Sequence, residues 1–392
     1  MDTRQFIAEH LSDDVRELAL KYHDNAKVDM ALALRQIEAR QLLRKKAPSW
    51  SENEDLLFPP HLSIEQCSSE ATARYKASLL QGGSFADLTG GLGVDCHFIS
   101  KNFNQTDYVE LNSELCSIVE HNFKVLGDKI NIHNHSAEEY LNHSESVDCV
   151  FLDPARRDMY GRKTVSIADC TPNVVELQDL LLSKAKKVMV KLSPMLDINK
   201  ALQELRYVKE VHVVAVANEC KELLFILEPD YEGNPMFTCV NLETDQPPME
   251  FTLEEEHSCE AVFAKDVSRY LYEPNAAIMK GGCYKLVTQR YGLMKLHRSS
   301  HLYTSERLVD DFPGRKFEVM GWAPYNKKVK QTLLADVKKA SIAIRNFPLT
   351  VSELRKVLKI ADGDEVYLFA TTLSDGQLIL LKTTQLTNQK ET

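Results

Sequence analysis

The chain has 392 residues, 44% hydrophobic and 27% charged, with 47 basic against 57 acidic side chains and a net charge of −10. At roughly 150 residues per domain this predicts two or three domains, with ample apolar material for a full core. The acidic balance excludes a surface that is basic throughout, so any nucleic-acid contact must use a local patch.

No apolar run approaches the ~20 residues that span a bilayer, so no membrane partner is expected. The opening Met1-Asp2-Thr3-Arg4-Gln5-Phe6-Ile7 lacks the basic and apolar regions of a signal peptide. Nine cysteines are scattered with no Cys-x-x-Cys, a pattern that fits reduced cytoplasmic thiols rather than a disulfide framework or zinc ribbon.

In chain order, residues 1–65 read as a helical region. Val28, Leu32, Leu34, Ile37, Leu42 and Leu43 recur near a 3.6 period, and Pro48 and Pro59-Pro60 are expected to break it. A further helix is predicted from Ser69 to Leu80, with Ser68 or Ser69 as its N-cap. From Phe85 short apolar runs alternate with helical segments. Strands are predicted at Ser84–Asp87, Asp107–Glu110, Ile130–His133, Val147–Leu152, Lys187–Lys191, His212–Ala217 and Leu223–Leu227, with helices near 93–102, 112–125, 173–184 and 197–205. This rhythm implies an α/β fold with a mostly parallel, doubly wound sheet. Only Asn218 to Glu222 join the last two strands, too short for a crossover helix, so that pair should be antiparallel.

After Pro229 the composition shifts. Residues 230–273 carry eleven acidic and two basic side chains, whereas residues 279–330 carry eleven basic and four acidic. Short strands here suggest a small α+β domain. The last unit reads as strand (Glu318–Trp322), helix (Asn326–Lys339), strand (Ala340–Arg345), helix (Thr350–Leu358) and two strands (Glu365–Thr371, Gln377–Lys382) turning at Asp375-Gly376.

Glycine is scarce, 15 in the whole chain, yet five of them fall between Gly82 and Gly93. A chain that clusters glycine once needs unusual backbone geometry there. Asp87-Leu88-Thr89-Gly90-Gly91-Leu92-Gly93 lies where the first strand turns into a helix, so Gly91 and Gly93 let a ligand approach the backbone. Glu110 ends the second strand, where a carboxylate can hold two ribose hydroxyls. G-x-G-x-x-G fails because Cys96 stands at its last position, and no P-loop pattern occurs. Asp87-x-x-x-Gly91-x-Gly93 followed by Glu110 resembles the first two motifs of class I S-adenosylmethionine-dependent methyltransferases. That resemblance implies a seven-stranded Rossmann-like sheet with an antiparallel last strand. It also implies Asp87 near the methionine end of the cofactor, Glu110 on the ribose, and Glu138 after the third strand near the adenine amine. Ser136 and Glu139 equally fit a helix capping box.

The apolar fourth strand ends in Asp153-Pro154-Ala155-Arg156-Arg157. A carboxylate directly after a buried strand is expensive unless it faces a cleft. Amine-methylating members of this class carry Asp/Asn/Ser-Pro-Pro-aromatic here; the resemblance therefore casts the Asp153 side chain and the Pro154 carbonyl as acceptors for the target amine. Ala155 and Arg156 depart from that pattern, and Arg156 could stack on a base or grip a phosphate. Lys191-Leu192-Ser193-Pro194 should open on the same cleft, with Lys191 either on a substrate phosphate or solvated, and Asn218–Glu222 could form another wall.

His133, His135 and His143 lack a partner cysteine at ligand spacing, and no metal is expected. Cys170 is read as a loop thiol ahead of an N-terminal helix proline rather than a nucleophile for C5 methylation. Lys327, Lys328, Lys330, Lys338 and Lys339 are expected to cluster on one helix, with Arg290, Lys295, His297 and Arg298 upstream. Such a basic surface could hold a structured RNA, and a lysine-rich solvated face is the plain alternative.

Most of the chain resembles a bacterial family of class I methyltransferases with a ferredoxin-like domain and a C-terminal THUMP-like domain. The residues that carry this are Pro59-x-x-Leu62-Ser63-x-Glu65-Gln66-Cys67-Ser68-Ser69-Glu70, Asp87 to Gly93, Asp153 to Arg157 and Met320-Gly321-Trp322. The resemblance implies a helical region (1–65), a methyltransferase domain (66–229), a ferredoxin-like domain (230–319) and a THUMP-like domain (320–392). It implies S-adenosylmethionine as cofactor and tRNA or rRNA as substrate, since THUMP modules occur in RNA-modifying enzymes. The loop and Asp153-Pro154 also look like rRNA guanine-N2 methyltransferases, which makes a guanine nitrogen the expected acceptor. The alternatives are a protein or small-molecule methyltransferase on the same fold, or a non-catalytic RNA-binding protein with a vestigial pocket.

Overall fold

A computed structural model describes residues 2–22, 27–155, 167–364 and 366–386. The chain divides into two compact units: residues 1–210 with 222–233, and residues 211–221 with 234–392.

The first unit opens with helices α1 (Thr3–Glu9), α2 (Val15–Lys21), α3 (Met30–Lys46), α4 (Pro48–Glu52), α5 (His61–Gln66) and α6 (Glu70–Leu79). Asp2, Asp14 and Asp29 cap the first three, accepting N–H bonds that a helix start otherwise leaves without partners. Pro48 does not simply break the segment. It starts α4 in the first turn, where its missing N–H would have been unpaired anyway. The irregular stretch after α4 is held by buried polar side chains. The Arg40 guanidinium donates to the carbonyls of Ser51, Asn53, Glu54 and Leu56, and the Asn122 amide exchanges two 2.8 Å bonds with the Leu57 backbone. Trp50, Leu56, Phe58 and Ile64 share one buried cluster with Ala73, Leu92, Val94 and Phe98. The N-terminal helices thus share a core with the helices flanking the glycine loop.

There follow β1 (Ser84–Asp87), α7 (Val94–Ser100), β2 (Gln105–Val109), α8 (Ser113–Leu126), β3 (Asn131–His133), α9 (Ala137–His143), β4 (Val147–Leu152), α10 (Val174–Lys184), β5 (Ala185–Leu192), α11 (Ile198–Glu204), β6 (Val208–Val216) and β7 (Glu219–Leu227). Within the first unit the strand order is β3-β2-β1-β4-β5-β7. It is parallel through β5, and β7 runs antiparallel to β5. Ala217 and Asn218 join β6 to β7 with φ of 47° and 68°, the positive dihedrals of a two-residue hairpin turn. This is the expected α/β sheet. Its strand order reverses at the β1–β4 pair, which opens a crevice at the carboxyl ends of the strands. β1 ends there in Asp87, and β4 runs into Asp153.

The second unit contains the antiparallel pair β8 (Met236–Leu242) and β9 (Met249–Thr252) and helix α12 (Leu253–Ser258). Then come β10 (Tyr270–Pro274), α13 (Ala276–Gly281), α14 (Leu286–Tyr291), β11 (Met294–Lys295), β12 (Tyr303–Ser305), β13 (Gly314–Pro324), α15 (Val329–Thr332), β14 (Ser341–Arg345), α16 (Val351–Leu358), β15 (Tyr367–Thr372) and β16 (Leu378–Gln385). β10 to β16 form one seven-stranded sheet in the order β11-β12-β10-β13-β16-β15-β14. Among the described residues of this sheet only β14 and β15 pair in parallel, with α16 lying between them in the chain. β15 and β16 turn at Asp375-Gly376 as expected, Gly376 having a φ of 89°.

The helix expected over Asn326–Lys339 is not formed: α15 is one turn, Val329–Thr332. Val329, Leu334, Val337 and Ala340 are all buried in one cluster. The five-residue step from Val329 to Leu334 cannot stay on one helical face, so the chain leaves the helix to bury all four. The basic patch is corrected accordingly. Lys327, Lys328 and Lys330 are exposed around α15, while Lys338 and Lys339 are exposed on the irregular chain beyond it. Among the described residues no helix is long and apolar enough to cross a membrane.

Candidate active site

A cleft of about 370 Å³ opens at the carboxyl ends of β1, β2 and β4, within the range of small-ligand pockets. Asp87, Gly91, Gly93, Glu110, Glu138 and Asp153 all line it. These six are brought together, whereas Pro154 is not among the lining residues and Arg156 lies outside the described residues. Pro154 is buried directly after Asp153.

The glycine loop is shaped by its neighbours. Gly91 has a φ of 52° and Gly93 a φ of 83°, left-handed values that glycine adopts without strain. A Cβ on Gly91 would meet only the Thr89 carbonyl, at 3.8 Å, whereas one on Gly90 would lie 2.0 Å from the Tyr108 ring. Gly90 thus lets Tyr108 pack beneath the loop, and the Tyr108 hydroxyl donates to the Gly91 carbonyl at 2.6 Å. Glu110 is held from both sides: Oε2 accepts the Gly91 N–H at 3.0 Å and Oε1 accepts the Asn112 N–H at 2.9 Å. A carboxylate has about four acceptor sites, so two remain for a ligand diol.

Asp87 is 1% exposed and accepts the Thr89 N–H at 3.1 Å. Burial pushes its carboxyl well above the usual carboxylate range against the effect of that hydrogen bond, and the charges of Asp95, Asp153 and Glu110 push the same way. Thr89 also accepts the Asp153 N–H on its hydroxyl at 2.6 Å, tying the ends of β1 and β4 together. Glu138 stands in the first turn of α9, half-buried, and the Ser136–Glu139 capping box forms beside it.

Asp153 is not alone. Lys191, near the end of β5, donates to its Oδ2 at 2.6 Å. The solvated alternative for Lys191 is corrected: its side chain is 13% exposed and paired with Asp153. Burial opposes its charge, and Asp153, Glu222 and Asp95 more than restore it, holding its pKa above the ordinary lysine value. Behind it, Lys191 donates to Ser68 Oγ at 3.2 Å. Ser68 donates to Asp95 at 2.6 Å and accepts from Lys76 at 3.1 Å. The fully buried Lys76 pairs with Glu222 at 2.8 Å and Asp95 at 3.1 Å. The wall expected from Asn218–Glu222 is absent from the cleft lining, because Glu222 turns inward to Lys76.

Cys170 is buried and is not among the lining residues, although Thr171 and Pro172 are. Thr171 and Ala155 exchange backbone bonds of 2.8 and 3.0 Å, which clips the chain after β4 to the segment before α10. Pro172 precedes the Asn173 cap rather than occupying the first turn of α10. His133 lies 3.4 Å from Asp107 and His143 bonds the Glu139 carbonyl, so they face different partners.

The parallel sheet with its antiparallel β7, the glycine loop, and carboxylates at the ends of β1, β2 and β4 define a class I methyltransferase architecture. Family profiles match a ferredoxin-like domain at residues 270–313 and a THUMP-like domain at residues 314–384. A protein of Porphyromonas gingivalis W83 assigned as a methyltransferase is similar over 98% of both chains, at 35% identity and a TM-score of 0.87. The chain belongs to this family of S-adenosylmethionine-dependent methyltransferases with ferredoxin-like and THUMP-like domains. Weaker similarities include an rRNA methylase from Streptococcus thermophilus (13% identity, 40% of this chain and 93% of that one, TM-score 0.30). Another is M. capricolum TrmK in complex with S-adenosyl-homocysteine (11% identity, 41% and 68%, TM-score 0.32). Both are too distant to carry an argument about this chain. No curated protein matches it.

Proposed function

We propose that the protein methylates RNA, tRNA or rRNA, at a nitrogen, most favourably of guanine. The observation that carries this reading is Asp153. It ends β4 on the same cleft as Gly91 and Glu110, its side chain about one-third exposed, in a chain with a THUMP-like domain. S-adenosylmethionine would supply a methyl group already activated on a sulfonium, so the protein need only position the acceptor. Glu110 would hold the ribose hydroxyls, Glu138 the adenine amine, and Asp87 the cationic methionine end. The cleft fits such a ligand: the Gly91 face is open and the carboxylates at the strand ends have acceptor sites to spare. Asp153 and the Pro154 carbonyl would accept hydrogen bonds from the target amine, turning its lone pair toward the methyl. Arg156 is assigned to the base or a phosphate on sequence grounds. Mass spectrometry of modified nucleosides in RNA from cells lacking the protein tests the whole reading. A single missing methylguanosine is expected, and an unchanged profile would remove the RNA assignment.

Glu110→Ala should weaken S-adenosylmethionine binding by about 1.5–3 kcal/mol, the scale of hydrogen bonds to a charged group. Calorimetry reads this directly, and absence of binding by the wild type would end the cofactor assignment. The RNA surface is tested by replacing the exposed Lys327, Lys328 and Lys330 with Gln, because truncation at residue 320 would cut through β13. The slope of log affinity against log salt should flatten by about 0.7–0.9 per lost phosphate contact. An unchanged slope would make these lysines a solvated face only.

A further inference from the structure

We propose that Lys191 is a positioning residue for methyl transfer, locking Asp153 so that one carboxylate oxygen is presented to the acceptor amine. The inference rests on the reading of Asp153 given above. In the β4–β5 pair, Leu152 lies opposite Val190, so Asp153 and Lys191 each follow a paired residue on adjacent strands. Their side chains meet at 2.6 Å through Oδ2. Oδ1 has no partner among the described residues, and Asp153 lines the cleft. The lock is itself anchored. Lys191 is tied to Ser68, Ser68 to Asp95 and Lys76, and Lys76 to Glu222 on β7. Charges of alternating sign thus run from β7 through two lysines to the strand-four carboxylate, and each link is buried or half-buried.

A carboxylate on a short side chain can turn about its last bond and offer either oxygen. With Oδ2 held by Lys191 the carboxylate cannot turn, and Oδ1, with both of its acceptor sites open among the described residues, is the oxygen presented to an amine. The neighbouring carboxylates hold Lys191 protonated, so it cannot serve as the base that removes the amine proton. Its contribution is orientation of Asp153. Misplaced reactants slow a reaction by about 10²-fold for displacements near 1 Å, and loss of this lock should fall at or below that scale.

The test is transfer from S-adenosyl-[methyl-³H]methionine to total RNA purified from cells lacking the protein. It compares wild type, Lys191→Met, Asp153→Ala and the double variant, with Lys191→Arg as the charge-retaining control. Lys191→Met should lower kcat by about 10- to 100-fold while KM for S-adenosylmethionine stays within about threefold. In the Asp153→Ala background the same change should cost less than about twofold, because the partner it orients is gone. Lys191→Arg should recover most of the rate. Cofactor binding by calorimetry reports folding; should Lys191→Met not bind, Lys191→Gln, which keeps a donor without the charge, takes its place in the cycle. If the losses multiply in the double variant, Lys191 acts independently of Asp153 and the inference falls while the amine reading stands. If Asp153→Ala transfers at the wild-type rate, the amine reading falls and this inference with it.

Discussion

Lys76→Met is expected to destabilise the first unit by about 3–5 kcal/mol, the range for removing one partner of a buried ion pair. Lys76 is fully buried and contacts two carboxylates, Glu222 at 2.8 Å and Asp95 at 3.1 Å. Methionine fills much the same volume, so little cavity forms and the loss is electrostatic. Glu222, itself 2% exposed, would lose the cation that contacts it and keep only the more distant charge of Lys191. The pair taken as a whole is worth much less, because both charges were removed from water to form it. Lys76→Met combined with Glu222→Leu should therefore recover most of the lost stability. Urea unfolding followed by circular dichroism measures both, with a shifted midpoint and an unchanged slope marking a change in stability alone. A single-variant loss below about 1 kcal/mol would mean that water reaches the carboxylates.

That network marks the boundary of what the sequence made legible. β1 and β4 were readable to the residue because each is an apolar run ended by aspartate and flanked by turn residues, and burial on both faces leaves no competing pattern. The cleft was readable because Gly91, Gly93, Glu110 and Asp153 sit at strand ends, where topology alone directs them to one crevice. Lys191 was expected to open on the cleft, but it is not among the lining residues and reaches the site through Asp153. A lysine after a strand looks the same in sequence whether it meets water or a carboxylate on the adjacent strand. Lys76 left a faint signal: it falls four residues after Thr72 and three after Ala73, on the buried face of α6, where a lysine is out of place unless paired. Its partner Glu222 lies 146 positions away, a distance that helix periodicity cannot bridge. The helix predicted over residues 326–339 failed because the burial of Leu334 and Val337 with Val329 required a different path. Gly90 was visible as a glycine, but its reason was not, because the Tyr108 ring that fills the space beneath it comes from the next strand.

Asp153→Ala is expected to lower methyl transfer by about 10²-fold or more, with cofactor affinity little changed. The Gly91 loop and Glu110 form a separate wall of the cleft, and Asp153 joins the end of β1 mainly through its backbone N–H on Thr89, which alanine keeps. The side chain lost is the one that would hold the acceptor nitrogen in line, so the deficit should appear in kcat and not in KM for S-adenosylmethionine. Lys191 would then be left buried without its nearest carboxylate, although Glu222 and Asp95 still contribute to its charge state. The variant should therefore fold and bind cofactor, which calorimetry verifies before rates are compared. Cys170→Ala serves as the opposing arm. Cys170 is buried beside the cleft without lining it, and direct transfer to nitrogen needs no covalent intermediate, so the rate should remain near wild type. Attack on a pyrimidine C5 would instead need a thiolate to add to the ring first. The two arms therefore separate the chemistries in one radiolabel assay. Loss of transfer in Cys170→Ala with retention in Asp153→Ala would replace amine methylation with a covalent route through the segment that Thr171 clips to Ala155.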